Sequence, residues 1–328
     1  MTYLEPKVTI LRLGDSASMA NGRDLRDGLH GTPRRIPSHY GYDRRGSELF
    51  DAITRLSEYF LSWVESDLLE QYSGDIISVT GTRTLIELGS GSARKTWHLL
   101  KSLECVDKLV YYPVDISEEM LRASAYRICA ELPHLSVNAI AAPWDRGLRW
   151  LRENVTETLT AAFLGSGIGN MDEAERAGIL GMLANNLRTG DKLLVTADLQ
   201  KTASEFERAY IDPPGSNLWA DFRINRLEHL NRLFGANFDV SRYYDTSIYN
   251  TDTNTIESAL YSASIQDIEI SSLGVSFTLD KGERIIVDYS VKFDREEFRH
   301  EVESYGFRPL KEWVHGPRQY GIFAFVRC

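Results

Sequence analysis

The sequence predicts an α/β fold in which a doubly wound, Rossmann-like sheet of parallel strands is interrupted by an inserted α+β segment. Between residues 85 and 197, short and almost wholly apolar runs alternate with helical patterns, as expected of parallel strands covered on both faces. Between residues 197 and 293, the pattern changes to helices followed by short alternating segments. The run 320–326 is again apolar and is predicted to return to the main sheet.

The individual elements follow from these patterns. A polar, irregular segment, 1–45, precedes a helical pattern at 48–53 and a helix that begins near Ser66 or Asp67, either of which is a good N-cap. The apolar runs of the core lie at 85–88, 108–114, 137–142, 159–165 and 192–197, and the helical patterns between them lie at 92–103, 118–131 and 172–187. Later residues contain helices at 202–211, 216–234 and 295–305 and an antiparallel meander at 255–264, 274–279 and 283–293. The predicted domains are a core, residues 66–196 plus 294–328, and a second domain, residues 1–65 plus 197–293.

Composition argues against several classes of protein. The 328-residue chain holds no apolar run of the roughly 18 residues that a membrane span needs, and its start lacks a signal-peptide pattern. A net charge of −10 disfavours nucleic acid, since phosphate binding requires a basic face. Cys105, Cys129 and Cys328 form no C-x-x-C pair and the histidines lack ligand spacing, so neither a disulfide framework nor a metal site is expected. We therefore expect a cytoplasmic protein without metal, nucleic-acid or membrane partners.

The most informative motif is a glycine turn between an apolar strand and a helix. The strand ends at Glu87-Leu88, Gly89-Ser90-Gly91 turns sharply, and a helix is predicted from Ser92. Glycines at such a turn allow a ligand to approach the backbone where a Cβ would collide. The next apolar strand ends in Asp115, in a position to take ribose hydroxyls. Together these features predict a nucleoside cofactor at the carboxyl ends of parallel strands.

Three nucleoside ligands compete for this turn. A dinucleotide fingerprint requires its third glycine at residue 94, and a phosphate-binding P-loop requires its second glycine there, but the residue is Arg94. S-adenosylmethionine (SAM) requires only a glycine turn, a carboxylate for the ribose and a flat surface for adenine, and the E-x-G-x-G form meets that requirement. An ordinary strand-to-helix turn without a ligand is the remaining alternative for this motif taken alone.

Other residues near predicted strand ends are also candidates for a ligand site. The turn Gly165–Asn170 brings backbone close to a ligand, and Asn170 offers both a donor and an acceptor. Trp144, after the third strand, either stacks on adenine or belongs to the ordinary core. Asp288 and Ser290 alternate with apolar residues and so share one strand face, which in the absence of a ligand is an ordinary solvated face.

Several motifs together resemble one known family. Their order along the chain is Tyr42-Asp43, Gly46-Ser47-Glu48-Leu49-Phe50-Asp51, Ile53-Thr54-Arg55-Leu56-Ser57-Glu58-Tyr59, Glu87-Leu88-Gly89-Ser90-Gly91, Phe163-Leu164-Gly165-Ser166, Ile168-Gly169-Asn170, Arg208-Ala209-Tyr210 and Ser290-Val291-Lys292-Phe293. This set is similar to the histidine-specific Nα-methyltransferases of ergothioneine biosynthesis and to their fungal relatives that N-methylate tryptophan derivatives. The resemblance spans nearly the whole chain.

The resemblance implies a class I SAM-dependent methyltransferase fold, with residues 1–65 plus 197–293 as a substrate-recognition domain. It implies a monomer that methylates an amine of an amino acid or a related small molecule. The residues that match cofactor-binding positions are Glu87, Gly89, Ser90, Gly91, Lys95, Asp115, Trp144 and Gly165. The residues that match positions for the acceptor's amino and carboxylate groups, and that are the predicted catalytic residues, are Tyr59, Asn170 and Tyr210. The residues that match positions lining the side-chain pocket are Tyr42, Ser258, Asp288 and Ser290.

Four residues depart from the family pattern. Asp288 replaces a glutamate that faces imidazole, and Ser258 replaces a methionine that walls the pocket, so both changes enlarge it. Gly167 replaces a threonine near the reacting amine, and Pro143 replaces an acid that helps to hold adenine. From the first three changes we predict an acceptor bulkier than histidine, such as tryptophan or an indole-derived amine. Histidine Nα-trimethylation, methylation of an indole ring carbon or nitrogen, and a cofactor-binding scaffold without activity are the alternatives.

Overall fold

The computed structural model describes residues 8–13, 21–103 and 109–328, so Cys105 lies outside the described part. The helices are α1 (Arg23–His30), α2 (Arg44–Ile53), α3 (Phe60–Thr80), α4 (Thr96–Ser102), α5 (Glu118–Glu131), α6 (Trp144–Asn154), α7 (Glu173–Asn186), α8 (Ala203–Ala209), α9 (Leu218–Phe234) and α10 (Arg295–Ser304). The strands are β1 (Val8–Arg12), β2 (Thr84–Leu88), β3 (Val110–Asp115), β4 (Ser136–Ala141), β5 (Leu159–Phe163), β6 (Lys192–Asp198), β7 (Tyr243–Asn250), β8 (Thr255–Ser262), β9 (Gln266–Ile270), β10 (Val275–Leu279), β11 (Arg284–Val291), β12 (Phe307–His315) and β13 (Tyr320–Arg327). Within these described residues, no helix is long and apolar enough to cross a membrane.

Eight strands of the described chain form the main sheet, in the order β1-β4-β3-β2-β5-β6-β13-β12. Neighbours from β1 to β6 pair in parallel, whereas β13 pairs antiparallel with both β6 and β12. The chain winds outward from β2 through β3 to β4 on one side and from β5 to β6 on the other, so the strand order reverses between β2 and β5. Ligands of open α/β sheets bind beyond the carboxyl ends of the strands at such a switch point. The predicted doubly wound fold is confirmed.

The central strands are the ones that the apolar runs predict best. Every residue of β2 and β5 is buried, and β6 is buried from Leu193 to Asp198. Continuous burial is typical of strands in a parallel sheet with both faces covered. Because β2 and β5 are adjacent and parallel, the residues that follow them, Gly89 and Leu164, lie at the same edge of the sheet.

The chain divides into two compact units. Of the described residues, the first contains 8–13, 64–103, 109–199 and 293–328, and the second contains 21–63 and 200–292. In the second unit, β11, β8 and β7 form one antiparallel sheet, and β9 pairs antiparallel with β10. The buried apolar residues that join α1 and α9 to these strands include Leu25, Leu29, Leu227, Leu230, Leu260 and Ile285.

The N-terminal boundary differs from the prediction, which groups all of residues 1–65 with the insertion. Strand β1 pairs in parallel with β4 of the main sheet, with Ile10 opposite Ala139. This pairing covers the backbone groups of β4, which would otherwise form an exposed edge. A five-residue strand in a polar segment carries too few residues for its partner to be read from its periodicity.

The described helices and strands that have no counterpart in the prediction are α1, α6, β1, β7, β9 and β12. Helix α6 buries Gly147, Leu148 and Leu151 but is otherwise rich in arginine, so its apolar signal is weak. Strand β9 buries only alternate residues, and β7 is mostly half-exposed. The predicted single meander is in fact two separate sheets. Strands with one solvent-exposed face lack the apolar runs that mark the core, so their sequence does not show which of them pair.

Candidate active site

The cofactor turn after β2 is wider than predicted. Gly89, Gly91 and Ala93 have positive φ angles of 70°, 48° and 51°, and a right-handed helix excludes such angles. Helix α4 therefore begins at Thr96 and not at Ser92, which corrects the predicted boundary. The additional residues lengthen the stretch of backbone available to a ligand.

Asp115, at the carboxyl end of β3, holds this turn with both oxygens of its carboxylate. Its Oδ2 accepts the backbone N–H of Gly91 at 2.9 Å, and its Oδ1 accepts that of Ser117 at 2.9 Å. Each carboxylate oxygen has a further lone pair, so the same group remains able to accept ribose hydroxyls. The predicted pair of Gly91 and Asp115 lies together.

Three local features of the turn show whether a SAM molecule could bind there: free space beside the backbone, a buried hydroxyl and an aromatic ring. A Cβ added to Gly91 would meet nothing within 4 Å in the described part of the chain, so the turn is open. The hydroxyl of Ser90 is buried yet has no hydrogen-bond partner among the described residues, which indicates a polar ligand or a water there. The ring of Trp144 lies 3.4 Å from where a Cβ on Gly89 would stand, and it meets the ring of Phe163 edge-on at 5.2 Å between centroids. The open backbone at Gly91, the unsatisfied hydroxyl of Ser90 and the indole ring of Trp144 beside Gly89 fit a nucleoside cofactor.

Glu87, predicted to bind the cofactor, is engaged by the protein itself. Its buried carboxylate accepts hydrogen bonds from the hydroxyls of Thr96 and Tyr111. Burial raises the pKa of Glu87 to about 7, although both hydrogen bonds oppose the rise. Glu87 thereby ties the end of β2 to α4 and β3 and holds the two sides of the turn together.

A buried carboxylate that was not predicted, Glu65, connects both glycine turns. It forms an ion pair with Lys95, and its Oε1 accepts the backbone N–H of Gly165 at 2.6 Å and the hydroxyl of Thr196 at 3.0 Å. Lys95 and Gly165 are both predicted cofactor residues. One carboxylate therefore sets the distance between the loops that contain them.

Glu65 was not predicted, because the predicted helix begins near Ser66 and therefore leaves Glu65 outside it. Helix α3 begins at Phe60 instead, since Phe60 and Leu61 are buried and tertiary packing outweighs the preference for an N-cap. With the correct start, Glu65 falls on the same helix face as Leu61 and Leu68, which are also buried. An acid at a core position of a helix is the signal that identifies it.

The turn after β5 ends in Asn170. Gly165 and Ser166 have positive φ angles of 78° and 53°, and Gly167–Asn170 forms a 3-10 turn whose last residue is exposed. A Cβ on Gly167 would stand 3.2 Å from the ring of Phe163. A threonine at this position would therefore require Phe163 to shift, which gives the departure at residue 167 a local packing reason.

The predicted acceptor-binding tyrosines lie in one aromatic cluster of the second unit. Ring centroids are separated by 5.3 Å for Tyr42–Phe50, 6.0 Å for Phe50–Tyr59, 6.1 Å for Tyr59–Tyr210 and 5.6 Å for Tyr210–Trp219. Tyr59 and Tyr210 are buried, whereas Tyr42 is 43% exposed, so the cluster reaches solvent at Tyr42. Trp219 was not predicted, because nothing in the local sequence distinguishes a tryptophan of this aromatic cluster from one elsewhere in the core.

The hydroxyl of Tyr210 belongs to a buried polar group. It lies 3.2 Å from Ser290 Oγ, and Lys292 Nζ donates to both oxygens at 2.8 and 2.9 Å. Asp288 and Ser290 stand at alternate positions of β11, and Lys292 continues the alternation one residue beyond its end, as expected of side chains that share one face. This alternation is the sequence signal for Lys292, which the prediction left out.

Asp288 lies against two buried arginines of α9. Its Oδ1 accepts from Arg226 Nη2 at 2.8 Å, and its Oδ2 lies 3.5 Å from Arg223 Nε. Burial alone would raise the pKa of Asp288, but Arg226 and Arg223 hold it below its usual range. Oδ2 has no hydrogen-bond partner anywhere in the described chain, so it can accept an N–H from a ligand. Arg223 and Arg226 were not predicted, since charged residues on a helix are ordinarily solvated.

Ser258 stands directly opposite Asp288 in the register of β8 and β11, and Ser247 of β7 stands on its other side. The buried hydroxyls of Ser258 and Ser247 are 2.7 Å apart, and Ser247 donates to the carbonyl oxygen of Tyr210 at 3.1 Å. Because cross-strand partners point to the same face of a sheet, the predicted pocket residues Ser258 and Asp288 are neighbours.

Each unit thus brings together its own part of the predicted site. In the first unit, the predicted residues around the glycine turns are Glu87, Gly89, Ser90, Gly91, Lys95, Asp115, Trp144 and Gly165. In the second unit, the predicted residues in the aromatic and polar clusters are Tyr42, Tyr59, Tyr210, Ser258, Asp288 and Ser290. Asn170 belongs to the first unit, whereas Tyr59 and Tyr210, its predicted catalytic partners, belong to the second.

Comparison with known proteins finds relatives whose similarity extends over nearly the whole chain. The family model described as "Histidine-specific methyltransferase, SAM-dependent" matches residues 21–327. The histidine N-alpha-methyltransferase of Mycolicibacterium smegmatis is 35% identical over 95% of this chain and 97% of its own length. A 4-dimethylallyltryptophan N-methyltransferase of Trichophyton verrucosum is 26% identical over 89% of this chain and 88% of its own. Among solved structures, an O-methyltransferase family protein from Burkholderia thailandensis aligns with a TM-score of 0.45 and 14% identity, covering 94% of this chain and 69% of that one.

The family match takes in both units and every predicted site position. It agrees with the sheet order and with a glycine turn whose open backbone and unsatisfied hydroxyl fit SAM. The resemblance inferred from the sequence motifs is confirmed, and with it the enzyme class and the methyl donor. The chain is an enzyme with a class I fold and belongs to the histidine-specific, SAM-dependent methyltransferase family.

Proposed function

We propose that this enzyme methylates the α-amino group of a heteroaromatic amino acid, and that L-histidine is its acceptor. The observation that carries the proposal is Asp288, whose Oδ2 has no hydrogen bond in the described chain and which shares a strand face with Ser290. A carboxylate oxygen that accepts no hydrogen bond from the protein can accept the N–H of an imidazole ring. Relatives that are 35% and 33% identical carry the name histidine N-alpha-methyltransferase. This favours histidine over the bulkier acceptor expected from the pocket residues.

The arginines beside Asp288 influence whether the imidazole ring of histidine binds in its neutral or its protonated form. Arg226 and Arg223 already balance this carboxylate, and Arg223 also pairs with Asp245. An imidazolium would add a cation beside two buried guanidinium groups, which costs Coulomb energy in a low-dielectric site. We therefore propose that histidine binds with a neutral imidazole.

The chemistry requires positioning more than activation by the protein. When bound, SAM supplies a methyl group on a sulfonium centre, which needs no further activation. The acceptor amine must lose its proton first, since an ammonium has no lone pair. Tyr59, Asn170 and Tyr210 are the proposed groups that hold the amine and carboxylate, so that the neutral amine faces the methyl group. Asp115 and the glycine turn are the proposed binding groups for the ribose.

The first test is a reaction of the purified chain with SAM and L-histidine, followed by mass spectrometry. We expect a product that carries one, two or three additional methyl groups on its α-nitrogen, located by fragmentation. Asn170→Ala and Tyr210→Phe are expected to lower the turnover of this acceptor while SAM binding is retained. No product with histidine, or a methyl group on a ring atom alone, would contradict the proposal.

L-Tryptophan and indole amines are the second candidate acceptors. Asp288 and Ser258 stand opposite each other, and each is shorter than the residue that the family pattern has at its position. The double variant Asp288→Glu, Ser258→Met adds side-chain volume at both positions, so the preference for tryptophan over histidine is expected to fall by about tenfold or more. The measurement is kcat/KM for both amino acids, with Ser276→Met on the exposed face of β10 as the matched control. An unchanged ratio would show that these two positions do not set the size of the pocket.

A further inference from the structure

The buried ammonium of Lys292 occupies a position that the chemistry described so far does not use. Its side chain is 1% exposed, and Nζ donates to the hydroxyl oxygens of Tyr210 and Ser290 at 2.8 and 2.9 Å. Nζ also lies 4.7 Å from the centre of the Tyr210 ring and 5.1 Å from that of Phe206. These contacts fix the ammonium at one place beside the proposed acceptor-binding residues.

The hydrogen-bonding capacity of the three groups restricts what the hydroxyls can do. An ammonium only donates, so both hydroxyl oxygens act as acceptors toward Lys292. Each hydroxyl still carries one proton, and the 3.2 Å contact between Tyr210 and Ser290 uses at most one of the two. At least one hydroxyl proton is therefore directed away from this group, and the Tyr210–Ser290 pair presents a donor to its surroundings.

We propose that Lys292 is a positioning residue that makes the Tyr210–Ser290 pair a donor site for the carboxylate of the acceptor. The inference rests on the proposed function in that it concerns the same acceptor-binding residues. A carboxylate accepts hydrogen bonds and carries the charge that a nearby cation favours. Without Lys292, each hydroxyl oxygen regains a lone pair and can turn to accept, so the pair no longer distinguishes an amino acid from its decarboxylated amine.

The test is calorimetric binding to the full chain, using L-histidine and histamine, and L-tryptophan and tryptamine, in the presence of S-adenosylhomocysteine. In the unaltered protein the amino acid of one pair is expected to bind more tightly than its amine. Lys292→Met is expected to weaken binding of that amino acid by about tenfold or more, the typical effect of a lost charge-assisted hydrogen bond, and to leave the amine nearly unchanged. Lys292→Arg, which keeps the charge and the donors, is expected to restore part of the preference. Lys281→Met, in the exposed turn before β11, is the matched control and is expected to change neither affinity.

A purely structural role for Lys292 predicts a different result. In that case, Lys292→Met weakens binding of the amino acid and the amine equally, and this outcome would overturn the proposal. Should Lys292→Met fail to fold, the double variant Tyr210→Phe, Ser290→Ala removes both hydroxyl donors while the lysine remains, and an undiminished preference for the carboxylate in that variant also overturns it. Turnover with SAM is measured separately on the same proteins. Lys292-dependent binding without any methylated product would support the inference and refute the proposed function, whereas binding of none of the four compounds would refute the inference.

Discussion

Three carboxylates around the glycine turns of the first unit use their oxygens on the protein itself. Asp115 accepts two backbone N–H groups, Glu87 accepts two hydroxyls, and Glu65 pairs with Lys95 while accepting a backbone N–H. A buried carboxylate is stable only when its lone pairs are satisfied. Each of these residues therefore fixes the position of the chain segment that supplies its donors, and their combined effect is to hold both turns in shape.

The raised pKa of Glu87 makes folding depend on pH at this residue. Its pKa is about 7 in the folded protein against an ordinary value of 4.5, so the folded state keeps a proton that the unfolded chain releases. The resulting stability is fully present below pH 4.5 and is lost as the pH rises through 7. Relative to Glu87→Gln, the free energy of unfolding is therefore expected to fall by about 2 to 3 kcal/mol between pH 5 and pH 8.

Urea unfolding of both proteins across this pH range measures the effect. Glu131→Gln, which changes an exposed carboxyl at the end of α5, is the control and should leave the pH profile unchanged. A constant difference between the original protein and Glu87→Gln would show that Glu87 does not titrate in this range.

At the scale of elements, the packing of helix α2 against the backbone of Gly41 requires a glycine at residue 46, the first residue of the motif Gly46–Asp51. Asp43 caps the helix by accepting the backbone N–H of Gly46 at 2.8 Å and also accepts from Asn225 at 2.7 Å. A Cβ on Gly46 would stand 1.7 Å from the carbonyl oxygen of Gly41. The close approach of these backbones therefore requires glycine, and it fixes the segment that contains Tyr42 against α2.

Gly46→Ala is expected to destabilise the protein by about 3 kcal/mol, because the clash is with backbone that cannot turn aside. Gly74→Ala, in α3, is the matched control. A Cβ there meets nothing within 4 Å in the part of the chain that the structure describes, so it is expected to stabilise by about 0.5 to 1 kcal/mol. Chemical denaturation of the two variants is the measurement. Equal effects of the same sign would contradict the packing explanation.

At the scale of the molecule, neither compact unit is a continuous piece of the chain. The chain passes from one unit to the other between residues 13 and 21 and at residues 63–64, 199–200 and 292–293. Both units therefore need distant segments to assemble, and neither can fold from one contiguous stretch. We expect a single unfolding transition on this basis.

Ligand binding to one unit should then stabilise the entire chain. SAM at about 100 times its dissociation constant adds about 2.7 kcal/mol, which corresponds to a shift of the unfolding temperature by about 4 °C for a chain of this length. Differential scanning calorimetry with and without SAM measures the shift, and Asp115→Ala is expected to reduce it. Two transitions, of which only one moves, would show that the units unfold independently.

The sequence by itself determined the parallel core, the glycine turn with Asp115, and the family. These features depend on local physics: apolar runs mark strands that are buried on both faces, and glycine marks backbone that is left-handed or closely approached. The motifs also predicted Tyr42, Tyr59, Tyr210, Asp288 and Ser290 as acceptor-site residues by position, and this assignment stays a prediction.

Only the tertiary structure decided the environment of those residues. Glu65, Arg223, Arg226 and Lys292 are charged side chains whose burial depends on segments far away in the chain, and without those contacts each is expected to be solvated. The same holds for β1, whose place in the main sheet depends on the edge that β4 leaves open. Burial and partner choice are properties of the assembled chain, since a charged side chain is buried only when other segments exclude water from it and supply its partners.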